Sequence, residues 1–231
     1  MSDGVEYHLA VGLDLSLTAP AACLVRGYSR GPTRRDSRIG EGIEVHDDIA
    51  SFELGEKLRG PERLSRVTAA LVSWLMSRAA WAPGILYVLE GYGFSGQQAT
   101  SLGEFGGCVR RELWELGADM IVIPPSTLKR FVTGSGAGDK NVMMKWALKR
   151  WGFDDDDDNR NDAFCCAMVG LADLAEAENR TVVENDILGK KVLRYAGKGS
   201  TRWPGGAEVG KVAGGSRRRK GRRSDHGSSI L

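Results

Sequence analysis

Apolar positions along the chain recur with two periods, and the switches between them mark out its elements. Residues 9–13, Leu-Ala-Val-Gly-Leu, form a short apolar run closed by Asp14. Side chains alternate along a strand, so Leu9, Val11 and Leu13 share one face while Ala10, Gly12 and Asp14 share the other. Small residues before the acid leave room for something to approach the backbone there. Beyond a turn at Ala19-Pro20, residues 21–25 read as a hairpin partner, and residues 39–45 as a weaker third strand. Behind Pro61, a residue tolerated in a first helical turn, Leu64, Val67, Leu71 and Leu75 recur at helical spacing. Residues 85–89 are continuously apolar, as in a strand covered on both faces, and end on Glu90 as the first strand ends on Asp14. A helix is predicted over 98–116, where Gly103, Gly106 and Gly107 allow a neighbour to come close. Residues 120–123 are a fifth strand, stopped by Pro124-Pro125, and a helical turn at 126–131 and helices over 140–150 and 159–177 follow.

The resulting order, β-β-β-α-β-α-β-α-α, describes an α/β ribonuclease-H-like fold: a mixed five-stranded sheet of order 3-2-1-4-5 flanked by helices. First and fourth strands are neighbours in that topology, which sets Asp14 beside Glu90. A strand-end Asp taken alone serves as readily to cap a turn as to bind a ligand; a second strand of the same design favours the ligand. The last helix presents Asp158 and Asp162, one turn apart on a shared face. Three or four carboxylates converging on one point repel unless divalent cations neutralise them, and oxygen-only donors select hard ions, Mg²⁺ or Mn²⁺.

Composition excludes some classes and divides the chain. With 42% hydrophobic and 27% charged residues this is the make-up of an ordinary soluble protein, and no stretch approaches the ~18 apolar residues of a membrane span. There is no signal-peptide pattern, and Cys23, Cys108, Cys165 and Cys166 lack metal-ligand spacing, so they read as reduced core residues of a cytoplasmic protein. The net charge of +2 hides an asymmetry: residues 190–231 carry twelve Lys and Arg against Glu208 and Asp225, or +10, leaving −8 on residues 1–189. The expected domains are therefore a ribonuclease-H-like body over 1–180 and a flexible basic tail over 181–231. That tail holds Arg217, Arg218, Arg219, Lys220, Arg222 and Arg223, a common pattern for polyanion binding. The loop over 133–140 resembles a phosphate cradle but lacks the Walker spacing, and Asp139 is placed to cap the next helix. The acidic run 154–158 reads as a solvated linker apart from its last member.

Gly12-Leu-Asp-Leu-Ser-Leu-Thr18, Leu89-Glu-Gly-Tyr92, Leu102-Gly-Glu-Phe-Gly-Gly107, Pro124-Pro-Ser-Thr-Leu-Lys-Arg-Phe-Val-Thr-Gly134, Asp139-Lys140 and Asp162-Ala163 occur in order. The series resembles the RuvC-type Holliday-junction resolvases, in particular the RuvC-like endonucleases of bacteriophages, over about residues 8–175. The resemblance implies a hydrolase that cuts Holliday junctions or other branched DNA in recombination, with two Mg²⁺ (or Mn²⁺) ions per site. Asp14, Glu90 and Asp162 match metal-binding acids of that family. Lys140 matches a basic residue near the scissile phosphate, and Tyr92 or Phe94 an aromatic at the junction. Lys129 and Arg130 fall in its Pro-Pro motif and are expected to contact DNA. The family usually carries a further acid three residues before the last, where this chain has Asn159; Asp158 is the expected substitute. Cutting two opposed strands calls for a symmetric homodimer. Two rivals are a branched-DNA-binding protein with weak or no catalysis, suggested by Asn159, and an actin-like ATPase or sugar kinase. The latter also begins on a Gly-x-Asp strand but needs a second phosphate loop and a duplicated domain.

Overall fold

The computed structural model describes residues 6–29, 43–44, 48–52, 59–78, 84–91, 99–136, 140–175 and 182–203. Strand β1 (Glu6–Asp14) pairs antiparallel with β2 (Ala21–Ser29) along its whole length. The third strand is represented by β3 (Ile43–Glu44) on one end of β2, and a short β4 (Ile49–Ser51), which the pattern did not reveal, pairs with the other end. Helix α1 (Gly60–Ser77) crosses to β5 (Leu86–Glu90), parallel to β1, and α2 (Ala99–Glu115) crosses to β6 (Asp119–Ile123), parallel to β5. Then follow α3 (Pro125–Thr133), α4 (Lys140–Trp151), α5 (Asp158–Leu174), α6 (Val182–Lys190) and β7 (Leu193–Tyr195).

The sheet runs β3-β2-β1-β5-β6-β7, the expected ribonuclease-H-like order with one more strand at its far edge. That strand corrects the expected boundary. Residues 182–203 belong to the folded body: β7 pairs antiparallel with β6, and buried Asp119 accepts from the Gly197 amide (3.0 Å) and faces Arg202 Nε (2.9 Å). A two-strand ladder and a buried carboxylate need no long apolar run, so composition alone did not mark them. The tail over 204–231 lies outside the described residues.

Strand residues alternate between two cores, as their period dictates. Val11, Leu13, Tyr87, Leu89, Met120 and Val122 pack under α1 and α2, with Val67, Leu71, Leu75, Phe105, Val109 and Leu113. Ala10, Val25, Leu86, Val88, Ile121 and Ile123 pack under α3, α4, α5 and α6. Helix α5 is buried almost all round, and it lies directly on β1 because Gly12 has no side chain. A Cβ at Gly12 would fall 2.9 Å from Cys166 Cβ and closer still to the Ala163 carbonyl and the Ala167 amide nitrogen. At Gly170 a Cβ would meet Ala10 Cβ at 2.8 Å, so the two elements mesh at a second point. The small face of β1 is thus the seat of α5. By contrast, a Cβ at Gly107 would meet nothing within 4 Å, so the close approach expected there does not occur.

Candidate active site

The register of the central strands decides which side chains meet. Gly12 pairs with Val88 and Leu13 with Leu89, so the next step sets Asp14 beside Glu90, both on the α5 face. The contact of α5 with Gly12 through Ala163 and Ala167 then brings Asp162 to the same strand ends. All three carboxylates line one open cleft of about 340 Å³, together with Ser16, Leu102, Lys129, Met143 and Asn159. Asp14 is nearly buried, at 8% exposure, while Glu90 and Asp162 are half-buried.

Their shared field is felt beneath the cleft. The Cys166 thiol, fully buried in α5, is pushed well above its ordinary pKa by burial and then by the charges of Glu90, Asp162 and Asp14. Cys165 is raised in the same way, by burial, Asp162 and Glu90. Both thiols remain protonated and inert at neutral pH, as expected of core cysteines. The three acids form one electrostatic unit, and a cation in the cleft is what such a unit favours.

Donor chemistry agrees with a hard divalent cation, since among the described residues the cleft offers carboxylates and an amide carbonyl and neither histidine nor thiolate. Among the described residues, however, no three His, Cys, Asp or Glu side chains gather closely enough to share one ion. The acids stand around the cleft wall, the arrangement that mutual repulsion favours.

The acidic run differs from the expected solvated linker. Asp157 is the N-cap of α5, accepting from the amides of Asn159 (2.8 Å) and Arg160 (3.1 Å). Asp155, with 12% of its side chain exposed, accepts from the Asp157 amide (2.9 Å) and from Arg160 Nη2 (2.8 Å). Only Asp154 and Asp156 are well exposed. The run fixes the first turn of α5 and thereby aims the helix at the cleft. From that turn Asn159 and Asp162 line the cleft, three residues apart; Asp158 is not among the lining residues. An uncharged amide thus stands beside the three acids, three residues before Asp162.

The other expected residues are distributed as follows. Lys129, on α3, lines the cleft and is its only described cation. Arg130, one residue on, pairs instead with Asp186 of α6 (3.2 Å). Lys140 begins α4, but its side chain lies outside the described residues, as do Tyr92, Phe94 and Arg217, Arg218, Arg219, Lys220, Arg222 and Arg223. A supporting group without a sequence signature is Arg150. It donates to the Phe131 (2.6 Å) and Val132 (3.1 Å) carbonyls at the end of α3 and to Glu184 Oε1 (2.8 Å), and it stacks on Trp151. Glu184 is 2% exposed, so this pair locks α3, the helix that carries Lys129, to α4 and α6.

No protein-family model matches the chain, and no curated protein matches it. Among solved structures, a Thermus thermophilus RuvC structure superposes with a TM-score of 0.55 at 17% identity, covering 69% of this chain and 91% of that one. T. thermophilus RuvC in complex with Holliday junction substrate gives 0.53 at 15% identity, covering 70% and 91%. The chain has a RuvC-like fold.

Proposed function

We propose that this RuvC-like chain is a metal-dependent, structure-selective endonuclease that hydrolyses phosphodiester bonds in Holliday junctions or other branched DNA. The observation that carries the reading is the meeting of Asp14, Glu90 and Asp162, from two strands and a helix, on one open cleft. The solved structure with a Holliday junction is of a protein sharing this fold.

Asp14, Glu90 and Asp162 would hold the divalent cations, with the Asn159 carbonyl as a neutral fourth donor. Held there, divalent cations would supply activation of water and neutralisation of charge on the leaving oxygen. The chain's own part is positional. Asp14 is fixed by the ladders on both sides of β1, and Asp162 by the cap of Asp157 and the seat at Gly12. Lys129 would supply positive charge on the cleft wall where a phosphate enters. Among the described residues, no histidine lines the cleft. Cutting two opposed strands further requires a homodimer with two clefts. Action on phage recombination intermediates in the host cytoplasm rests on the motif resemblance alone.

Asn159 favours a second reading, a branched-DNA-binding protein of weak catalytic power, because one negative charge fewer weakens cation affinity. One measurement separates the two. Mg²⁺ should give nicks at a branch point but not in linear duplex, and Asp14→Asn should abolish the nicks while leaving junction binding intact or tighter. Binding without cutting at any Mg²⁺ or Mn²⁺ concentration would establish the second reading. Undiminished cutting by the variant would remove the carboxylates from the mechanism.

A further inference from the structure

Ser16 and Leu17 line not one cleft but two. Beyond them, away from the carboxylates, lies a second depression of about 200 Å³ between the turn after β1, the start of α1 and the start of α2. Its floor includes Val67 and Phe105, and its rim includes Arg59, Arg63, Ser101 and Glu104. The two depressions are thus neighbours that share Ser16 and Leu17 as a common wall.

The arginines of this rim differ from most others in the body. Arg66 pairs with Glu62, Arg78 with Asp48, Arg111 with Glu112, Arg160 with Asp155 and Arg194 with Asp173. Arg59 and Arg63 have no ion-pair or hydrogen-bond partner among the described residues. Neither one pairs with Glu104 across the depression, although all three line it. Residues 1–189 carry a net charge of −8, so acids to pair with are plentiful. Two guanidinium forks on an apolar floor, beside hydroxyls, match phosphate oxygens bidentately. Glu104 opposes a phosphate on its own side and so limits where one can sit.

We infer that this second depression is a backbone subsite, holding a phosphate of the strand being cut, to one side of the linkage placed at the carboxylates. The subsite rests on the nuclease reading above and deepens it. A strand that crosses the shared wall at Ser16 and Leu17 is gripped at two points, one chemical and one positional, which together fix its direction over Asp14. The arginines contact phosphate and not bases, so the subsite sets register without reading sequence.

A methylphosphonate scan tests it. Branched substrates carry one neutral linkage in turn at each position flanking the mapped cut, and binding is measured by anisotropy in Ca²⁺, without turnover. Wild type should lose roughly five- to tenfold in affinity at one or two adjacent linkages on one side of the cut. Arg59→Gln/Arg63→Gln should bind the unmodified substrate more weakly by a similar factor and lose nothing further at those linkages. Glu104→Gln should bind the unmodified substrate more tightly than wild type. Equal melting temperatures keep the comparison free of folding defects, and a double variant that melts early is replaced by Arg63→Lys, which keeps charge but loses the fork. A scan of the same shape in wild type and variant overturns the subsite, as does a deficit spread evenly over all linkages. Either result leaves the nuclease reading standing, whereas a wild type that neither cuts nor binds branched DNA removes both.

Discussion

Replacing Gly12 with alanine should do far more than add a methyl group. In an ordinary strand the exchange stabilises by about 0.5–1 kcal/mol, because glycine loses more freedom on folding. Here the new Cβ would stand 2.9 Å from Cys166 Cβ and nearer still to two backbone atoms of α5. Non-bonded carbons settle at about 3.5–4.0 Å, so the helix must retreat by roughly 1 Å. Backbone atoms cannot rotate away, and α5 meets β1 again at Gly170, so the retreat also opens the packing around Ala10. Overpacking of this kind costs about 3 kcal/mol, the upper part of its usual range. For a chain of this length that lowers Tm by roughly 6–12 °C. Activity should fall further than stability, because Asp162 rides on the displaced helix, and a shift of about 1 Å at a reacting centre can cost ~100-fold. Thermal melting and nicking of a branched substrate are the two assays. Gly107→Ala is the internal control: it sits in α2 with nothing within 4 Å, and should gain up to about 1 kcal/mol. A Gly12→Ala protein that melts no lower than wild type and cuts at its rate would refute the close contact and the positioning of Asp162 built on it.

Other outcomes follow from the same geometry. Asn159→Asp should tighten Mn²⁺ binding, read by titration calorimetry without DNA, whereas Asp158→Asn should change it little; the reverse order would restore Asp158 to the site. Asp157→Ala should cost about 1 kcal/mol in chemical denaturation through loss of the α5 cap, while Asp154→Asn should be silent. Glu184→Gln leaves Arg150 without its buried counter-charge and should destabilise by about 3 kcal/mol, largely recovered in Arg150→Met/Glu184→Met; additive losses would show that the two groups act separately. Deleting residues 204–231 removes seven Lys and Arg but none of the contacts described above. It should leave melting unchanged and flatten the dependence of log affinity on log salt by roughly three units if about half of them reach phosphate. Deletion from residue 190 should instead destabilise, since it strips β7 from the sheet and Arg202 from Asp119.

The strand order was legible in the sequence alone, and so were the three acids that line the cleft, Asp14, Glu90 and Asp162. Asp14 and Glu90 each end an apolar strand, and once the order of crossovers is known their adjacency follows from a period of two residues. The small face of Ala10, Gly12 and Asp14 also announced that something would lie there. Tertiary structure decided what that was, because nothing local in residues 158–174 says which side of an all-round apolar helix meets the sheet. It therefore also decided that Asn159 lines the cleft beside Asp162: one residue is a turn of about 100° on a helix, and only the seat at Gly12 sets the zero of that rotation. The same holds for Arg150 with Glu184, and for Asp119 with Gly197 and Arg202. Each pairs groups from 34 to 83 residues apart, so nothing in local composition or spacing marks them. The depression that holds Arg59 and Arg63 is likewise a product of how α1 and α2 pack, since its walls come from three separate stretches of chain.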